Sequence, residues 1–241
     1  MSSSLQRRFG SLTPEEASRL DTAAVELGVD IAQLMEIAGF QVARCAWRML
    51  GRRPGSLHVV AGRGHNGGDG LVAARHLAGW GCRVTAAVLG EPHALDPLMS
   101  RQAAAAAGAG VRLHVSPSAI RTVRGVDSAD IVVDALLGTG LHDPPRPAQA
   151  EAIGALRGTI LSIDVPSGLD AATGTARGAA IRAHTTCTLA AMKRGLWNPA
   201  ARAHTGEMVV ADIGMPEQAW LRCGLTAPTS LRGGRMVTLR R

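Results

Sequence analysis

Apolar residues recur along this chain in two rhythms, and the alternation between them predicts the architecture. Seven short segments have strand length and strand composition: Leu57 to Ala61, Arg83 to Val88, Val111 to Val115, Asp130 to Asp134, Ile160 to Asp164, His184 to Leu189 and Met208 to Ala211. Helical patterns stand before and between them. Thr13-Pro14-Glu15-Glu16 reads as a capping box with proline at the first helical position, so a helix is predicted from Pro14 to Leu27. Asp30 caps a second helix through Leu34, Met35, Ala38, Val42, Cys45 and Met49, stopped at Gly51. Crossover helices follow from about Gly68 to Trp80, from Asp96-Pro97 to Gly108, and from Pro147 to Leu156, the last closed by Gly158.

Near-continuous apolar strands alternating with helices predict a parallel sheet covered on both faces. The fold class expected is α/β, a single doubly wound, Rossmann-like three-layer α/β/α domain with a mainly parallel sheet. It takes in the whole chain, 1–241, with a core of about 12–222 and a weakly ordered basic tail at 225–241.

In such sheets ligands bind beyond the carboxyl ends of the strands, and the chemically capable residues fall there. Gly62-Arg63-Gly64-His65-Asn66-Gly67-Gly68-Asp69-Gly70 follows the first strand. Five glycines in nine positions allow a sharp bend and a close approach of backbone to ligand, and the helix behind offers unpaired amides to an anion. Asn66 and Asp69 place an amide and a carboxylate in that turn. Asp134 ends the fourth strand and leads into Ala135 to Leu141. Asp164 ends the fifth and leads into Val165-Pro166-Ser167-Gly168-Leu169-Asp170. Some of these residues have ordinary structural duties open to them: Asp170 to order its own loop, Ser167 to serve the turn, and His58 to be a satisfied core histidine.

Composition narrows the classes. No apolar run approaches the ~18 residues of a membrane span, and the first eight residues lack a secretory apolar region. Cys45, Cys82, Cys187 and Cys223 are far apart without metal-like spacing, as expected of reduced thiols in a cytoplasmic protein. The net charge of +7 would suit nucleic acid, but the arginines are scattered, and with no Tyr and two Phe the stacking platforms are scarce. Nucleic acid is therefore not the expected partner; attraction of an anionic small substrate is. Of 26 basic residues only Lys193, after the sixth strand, is lysine. Arginine does not replace lysine where a compact or titratable amine is required, which marks Lys193 as a site residue.

Read together, Met35-Glu36-Ile37-Ala38-Gly39, Gly62 to Gly70, Asp134 to Leu141, Asp164 to Asp170, Leu189 to Gly195 and Ala211-Asp212-Ile213-Gly214-Met215-Pro216 resemble the NAD(P)H-hydrate epimerases, whose domain is the YjeF N-terminal domain. The segments keep the family's order. One departure is His65, where the family usually has the first of two asparagines. The resemblance implies an isomerase that interconverts the R and S forms of NADHX and NADPHX, the hydrates of NADH and NADPH at C6 of the nicotinamide ring. An ADP- or ATP-dependent dehydratase specific for S, expected on a separate chain, would then restore the cofactor.

That chemistry needs a carboxylate beside the hydrated carbon, for which Asp164 is the candidate, with Lys193 positioning the substrate or tuning that acid, so these two are the candidate catalytic residues. The resemblance also implies binding residues. His65, Asn66, Gly67, Gly68 and Asp69, with Gly138, Thr139, Gly140, Leu141, His142, Asp143, Pro144 and Asp164, would bind the substrate. One potassium ion would be held by Asn66, Asp134 and Ser167, whose oxygens are suitably hard donors. The apolar side of the first two helices would suit a homodimer. Two other functions are compatible with the residues. Gly62-x-Gly64-x-x-Gly67 formally matches a dehydrogenase fingerprint, although the acidic residue expected after the second strand is represented only by the late Glu91. Related domains also serve as non-enzymatic nucleotide- or RNA-binding scaffolds.

Overall fold

The computed structural model describes residues 3–141 and 143–239. Its sheet comprises β1 (Ser56–Ala61), β2 (Arg83–Leu89), β3 (Arg112–Ser116), β4 (Ile131–Ala135), β5 (Ile160–Ile163), β6 (Thr185–Leu189), β7 (Glu207–Ala211) and β8 (Met236–Leu239). The spatial order is β3-β2-β1-β4-β5-β6-β7-β8. Every pairing is parallel except that of β7 with β8. The helices are α1 (Ser3–Phe9), α2 (Pro14–Glu26), α3 (Ile31–Met49), α4 (His65–Gly79), α5 (Pro97–Gly108), α6 (Ala119–Thr122), α7 (Pro147–Ala155), α8 (Arg202–Thr205) and α9 (Glu217–Arg222).

Strand alternation sorts the core. Val59, Ala61, Val133, Ala135, Val209 and Ala211 face one side and pack with Val42, Ala46, Leu71 and Ala74 of α3 and α4. Their neighbours Val60 and Val132 face the other side, with Ala152 and Ile153 of α7, while Met208 and Val210 join Phe9, Leu196 and Leu231. The side-chain period of two thus buries both faces of the sheet. Both predicted caps form. Thr13 Oγ1 accepts from the Glu16 amide at 3.1 Å while Glu16 Oε2 accepts from the Thr13 amide, and Asp30 and Gln33 repeat the pattern. Such caps contribute about 1 kcal/mol each.

Three expectations change. The helix predicted from Gly68 begins at His65, so six of the nine residues of the glycine segment lie in its first two turns. The N-terminal residues also form a helix, α1, and a strap beyond it. Along that strap the Met192 amide donates to Phe9 O, the Leu12 amide to Met192 O and the Arg194 amide to Leu12 O. The predicted weakly ordered tail is corrected most plainly. Residues 236–239 form β8, antiparallel to β7, with Leu239 buried against Met208 and Val210. The strand is only four residues long and follows two glycines at positive φ, so its own pattern is too short to predict. Arg240 and Arg241 lie outside the described residues.

The direction in which strands are added to the sheet reverses between β1 and β4: β2 and β3 extend to one side, β4 to β7 to the other. Crossover connections leave a crevice there. At its base the Gly62 amide donates to Ala135 O, and a Cβ on Gly62 would lie 2.1 Å from Leu136 O. A Cβ on Gly67 would lie 2.0 Å from Gly62 O. These two glycines are required by backbone meeting backbone where the β1 and β4 loops converge.

Candidate active site

Above that junction opens a cavity of about 1280 Å³, walled by α2, the start of α3, the first turn of α4, the loop after β4, Asp164 and the segment after β6. His65, Asn66, Asp69, the stretch from Gly138 to Leu141, Asp143, Pro144, Asp164 and Lys193 all line it. Residues from six places in the sequence are thereby brought to one space. Gly67 and Gly68 are buried beneath the wall, against Gly62 and Met35 respectively. His142 lies outside the described residues.

Asp164 and Lys193 form a buried ion pair through Asp164 Oδ1. The same oxygen accepts from the Leu189 amide at 3.0 Å and Thr188 Oγ1 at 3.2 Å. Lys193, 2 % exposed, also donates from Nζ to Leu189 O at 2.7 Å and Ala191 O at 3.3 Å. Among the described residues all the hydrogen bonds to this carboxylate fall on Oδ1, which leaves Oδ2 for a ligand. The backbone holding the pair is strained. Asp164 has φ 64° and Ala190 φ 61°, each at the centre of a three-residue turn closed by the amide of the next residue: Val165 to Ile163 O and Ala191 to Leu189 O, both 2.7 Å. Such a turn is rarely adopted by a residue bearing a side chain and costs about 1–3 kcal/mol. Two of them flank one ion pair, the pattern of a site fixed by its surroundings.

Asp134, 0 % exposed, is not in the cavity wall but under its floor. Its Oδ2 accepts from Ser162 Oγ at 2.7 Å and the Ser167 amide at 2.9 Å, its Oδ1 from Ser167 Oγ at 2.5 Å. Burial pushes this carboxyl above the usual range, and the four donors, the Leu136 amide included, oppose the rise. No cation lies among those influences. Leu137 O accepts from Asn66 Nδ2 at 3.0 Å and lies 3.3 Å from Ser167 Oγ, so Asn66, Asp134 and Ser167 do converge, around that carbonyl. Among the described residues no three His, Cys, Asp or Glu side chains gather to hold a metal. A cation here would instead meet carboxylate, hydroxyl, carbonyl and amide oxygens, a donor set suited to a hard ion.

A third carboxylate is different again. Asp69, 8 % exposed on the cavity wall, has no hydrogen bond to another described group at its carboxylate. Burial pushes it well above the usual carboxylate range, the charges of Asp164 and Asp21 add to the rise, and Lys193 opposes it. Asp21 of α2 was absent from the sequence expectations. It lines the cavity, and burial raises its own carboxyl, with Lys193 opposing. The signal was available: Ala17, Leu20 and Ala24 make the apolar stripe of α2, and position 21 falls on it. Arg63 and Arg146, also unmarked in the sequence, add positive charge to the wall.

The residues with ordinary duties are as expected. His58 is held between Thr85 Oγ1 and Thr122 O, and Asp170 Oδ1 accepts from the amides of Ala172 and Thr173 while Oδ2 pairs with Arg177. All four cysteines are unpaired. Among the described residues no helix is long and apolar enough to cross a membrane.

Comparison with known proteins shows the family and the fold. Residues 31–195 match the family model described as YjeF-related protein N-terminus. An NAD(P)H-hydrate epimerase of Dehalogenimonas lykanthroporepellens is 41% identical over 212 residues, covering 86% of this chain and 82% of that protein. A bifunctional NAD(P)H-hydrate repair enzyme of Hyperthermus butylicus is 40% identical over 223 residues, 89% of this chain but 40% of that protein. A second, from Pyrobaculum aerophilum, is also 40% identical, with 44% of its length covered. The chain thus spans less than half of these bifunctional relatives. The crystal structure of the yeast protein YNL200c superimposes with a TM-score of 0.78 over 95% of this chain and 99% of that one, at 22% identity, which establishes the shared fold.

Proposed function

We propose that this chain, which belongs to the family of the YjeF-related protein N-terminus, interconverts the R and S epimers of hydrated NADH and NADPH and so serves the repair of damaged nicotinamide cofactor. The observation that carries the proposal is the carboxylate of Asp164, fixed through one oxygen by Lys193 and open through the other to a cavity at the sheet's switch point. The hydrated ring carbon bears both a hydroxyl and the ring nitrogen. Losing the hydroxyl leaves a cationic iminium, to which the hydroxyl can return on either face. A carboxylate beside that carbon stabilises the cation as it develops, and does so strongly because it is already in place. Lys193 is a positioning residue: its three further acceptors lock the ammonium, and the ammonium locks Asp164.

The nucleotide would lie along His65, Asn66 and the Gly138–Pro144 loop, with Arg63 and Arg146 attracting its phosphates. A potassium ion belongs to the same proposal. Asn66, Asp134 and Ser167 would hold it, supported by a buried carboxylate that has hydrogen-bond donors but no cationic neighbour. The ion would supply the balancing positive charge and draw the β1 and β4 loops together. A cytoplasmic setting and a dehydratase that consumes the S epimer complete the functional proposal.

The test is a coupled assay. An R-enriched sample of hydrated NADPH, given an excess of S-specific dehydratase, should be converted to NADPH faster when this protein is added. A rate equal to the spontaneous exchange between epimers would refute the proposal.

A further inference from the structure

Asp69 is a largely buried acid set in the wall of a cavity, without a hydrogen-bond partner for its carboxylate among the described residues and with its oxygens reaching the cavity. It stands in the second turn of α4, 8 % exposed, and neither carboxylate oxygen meets a hydrogen-bond donor among the described residues. A buried charge is costly unless paired, and an acid so placed tends to keep its proton. The charged and titratable groups that face it are Asp21 from α2, His65 from its own helix, Asp164 from the turn after β5 and Lys193 from the segment after β6. Lys193 is not free to pair with it, because its ammonium is held by Asp164 and the carbonyls of Leu189 and Ala191. From α3, packed along the other side, come Met35 and Gly39, while Glu36 is taken by Arg75 and His76. Two acidic neighbours and burial all favour the protonated form, and Lys193 alone opposes it.

We propose that Asp69 is the proton donor of the epimerisation, working in the same cavity as Asp164; this rests on the function proposed above. The Asp69 proton passes to the hydroxyl oxygen on the hydrated ring carbon. The C–O bond breaks, its electron pair leaves on oxygen as water, and the lone pair of the ring nitrogen forms the C=N bond of the iminium. Water then adds to the other face, its oxygen lone pair making the new C–O bond while the C=N π pair returns to nitrogen. The proton shed by that water restores Asp69, directly or through cavity water. Nothing is oxidised or reduced, and no proton is gained or lost overall. A carboxyl group that keeps its proton can act as the donor while a neighbouring carboxylate stabilises the developing cation.

Asp69→Asn keeps the shape and removes the transferable proton. In the coupled assay kcat should fall by about 10²–10⁴-fold, the range for positioned acid–base groups, with KM little changed. The wild-type rate should decline as pH rises through the titration of Asp69, and that alkaline limb should be missing from the variant. Asp21→Asn removes one of the charges holding the proton on Asp69, and should move the limb to lower pH. An Asp69→Asn protein with wild-type kcat, or one that is slow yet keeps the alkaline limb, overturns the proposal. A wild type that does not accelerate the exchange overturns the function itself, and the proposal with it. Where asparagine at 69 prevents folding, infrared spectroscopy of the wild type decides. A protonated-carboxyl band should vanish with rising pH at the midpoint of the alkaline limb, and its absence at neutral pH overturns the proposal.

Discussion

Asp134 and Asp164 stand at the carboxyl ends of adjacent strands, β4 and β5, and both are buried, yet they are neutralised by unlike means. Asp134 is surrounded by neutral donors from Ser162, Ser167 and Leu136, and it staples two strand ends together. Asp164 is matched with the single lysine of the chain, on a backbone turn that residues with side chains seldom adopt, and it keeps one oxygen toward the cavity. The first arrangement spreads a charge over hydrogen bonds and closes the site to solvent. The second concentrates opposite charges and leaves the anion usable. In the sequence the two residues are alike, each an aspartate ending an apolar run. What separates function from framework is the partner, and the partner comes from elsewhere in the chain.

The comparison can be broken most severely at Lys193. Lys193→Met leaves Asp164 charged and unpaired, and should cost about 3–5 kcal/mol, the range for breaking one side of a buried ion pair. Urea denaturation would measure it. Combined with Asp164→Asn the loss should be smaller than the sum of the two single losses; additive losses would mean that the pair is not coupled.

Asp134→Asn should cost less, about 1–3 kcal/mol, because an amide keeps one acceptor but turns its NH₂ toward groups that are themselves donors. The same variant should lose any potassium dependence of its melting temperature, which the wild type should show if Asp134 is a ligand. A wild type indifferent to potassium would remove the ion from the site. Ser162→Ala takes one donor of the four, at about 1 kcal/mol, and should leave epimerase kinetics unchanged. A kinetic defect in that protein would mean that the framework carboxylate is closer to the chemistry than its burial indicates.

The smallest change expected is one of slope. Asp69 belongs to neither arrangement, and burial holds its pKa well above that of the unfolded chain. For a carboxyl shifted upward the unfolded state gives up its proton first. Its favourable contribution is therefore complete below the unfolded pKa and is lost as pH rises through the folded one. Asp69→Asn should remove that decline, so its stability relative to wild type should improve from acid toward alkaline pH. Thermal melts across the range would show it, and parallel curves would refute it.

Much of the fold was legible in the chain. The strand segments from Leu57 to Ala211 were visible as apolar runs because parallel strands are buried on both faces and their composition declares it. Thr13 and Asp30 marked helix starts because capping is local chemistry. The site was partly legible for the same reason: Asn66, Asp69, Asp164 and Lys193 follow strands whose order of occurrence places their ends together. Asp21 was harder to see. It lies on a helix that crosses to the cavity only because the strap around Leu12 pairs with the backbone at Lys193, a contact between residues about 180 apart in sequence. β8 was missed because four residues at the chain's end carry no usable period.

By itself the sequence determined the secondary elements, their alternation and the class of group available at each strand end, since these depend on side chains a few residues apart. Only the tertiary structure decided which aspartate received a cation, which received hydroxyls and amides, and which received no hydrogen-bond donor among the described residues. That assignment depends on burial and on charges contributed by distant strands, and the electrostatic energy of a carboxylate is set by what surrounds it in space.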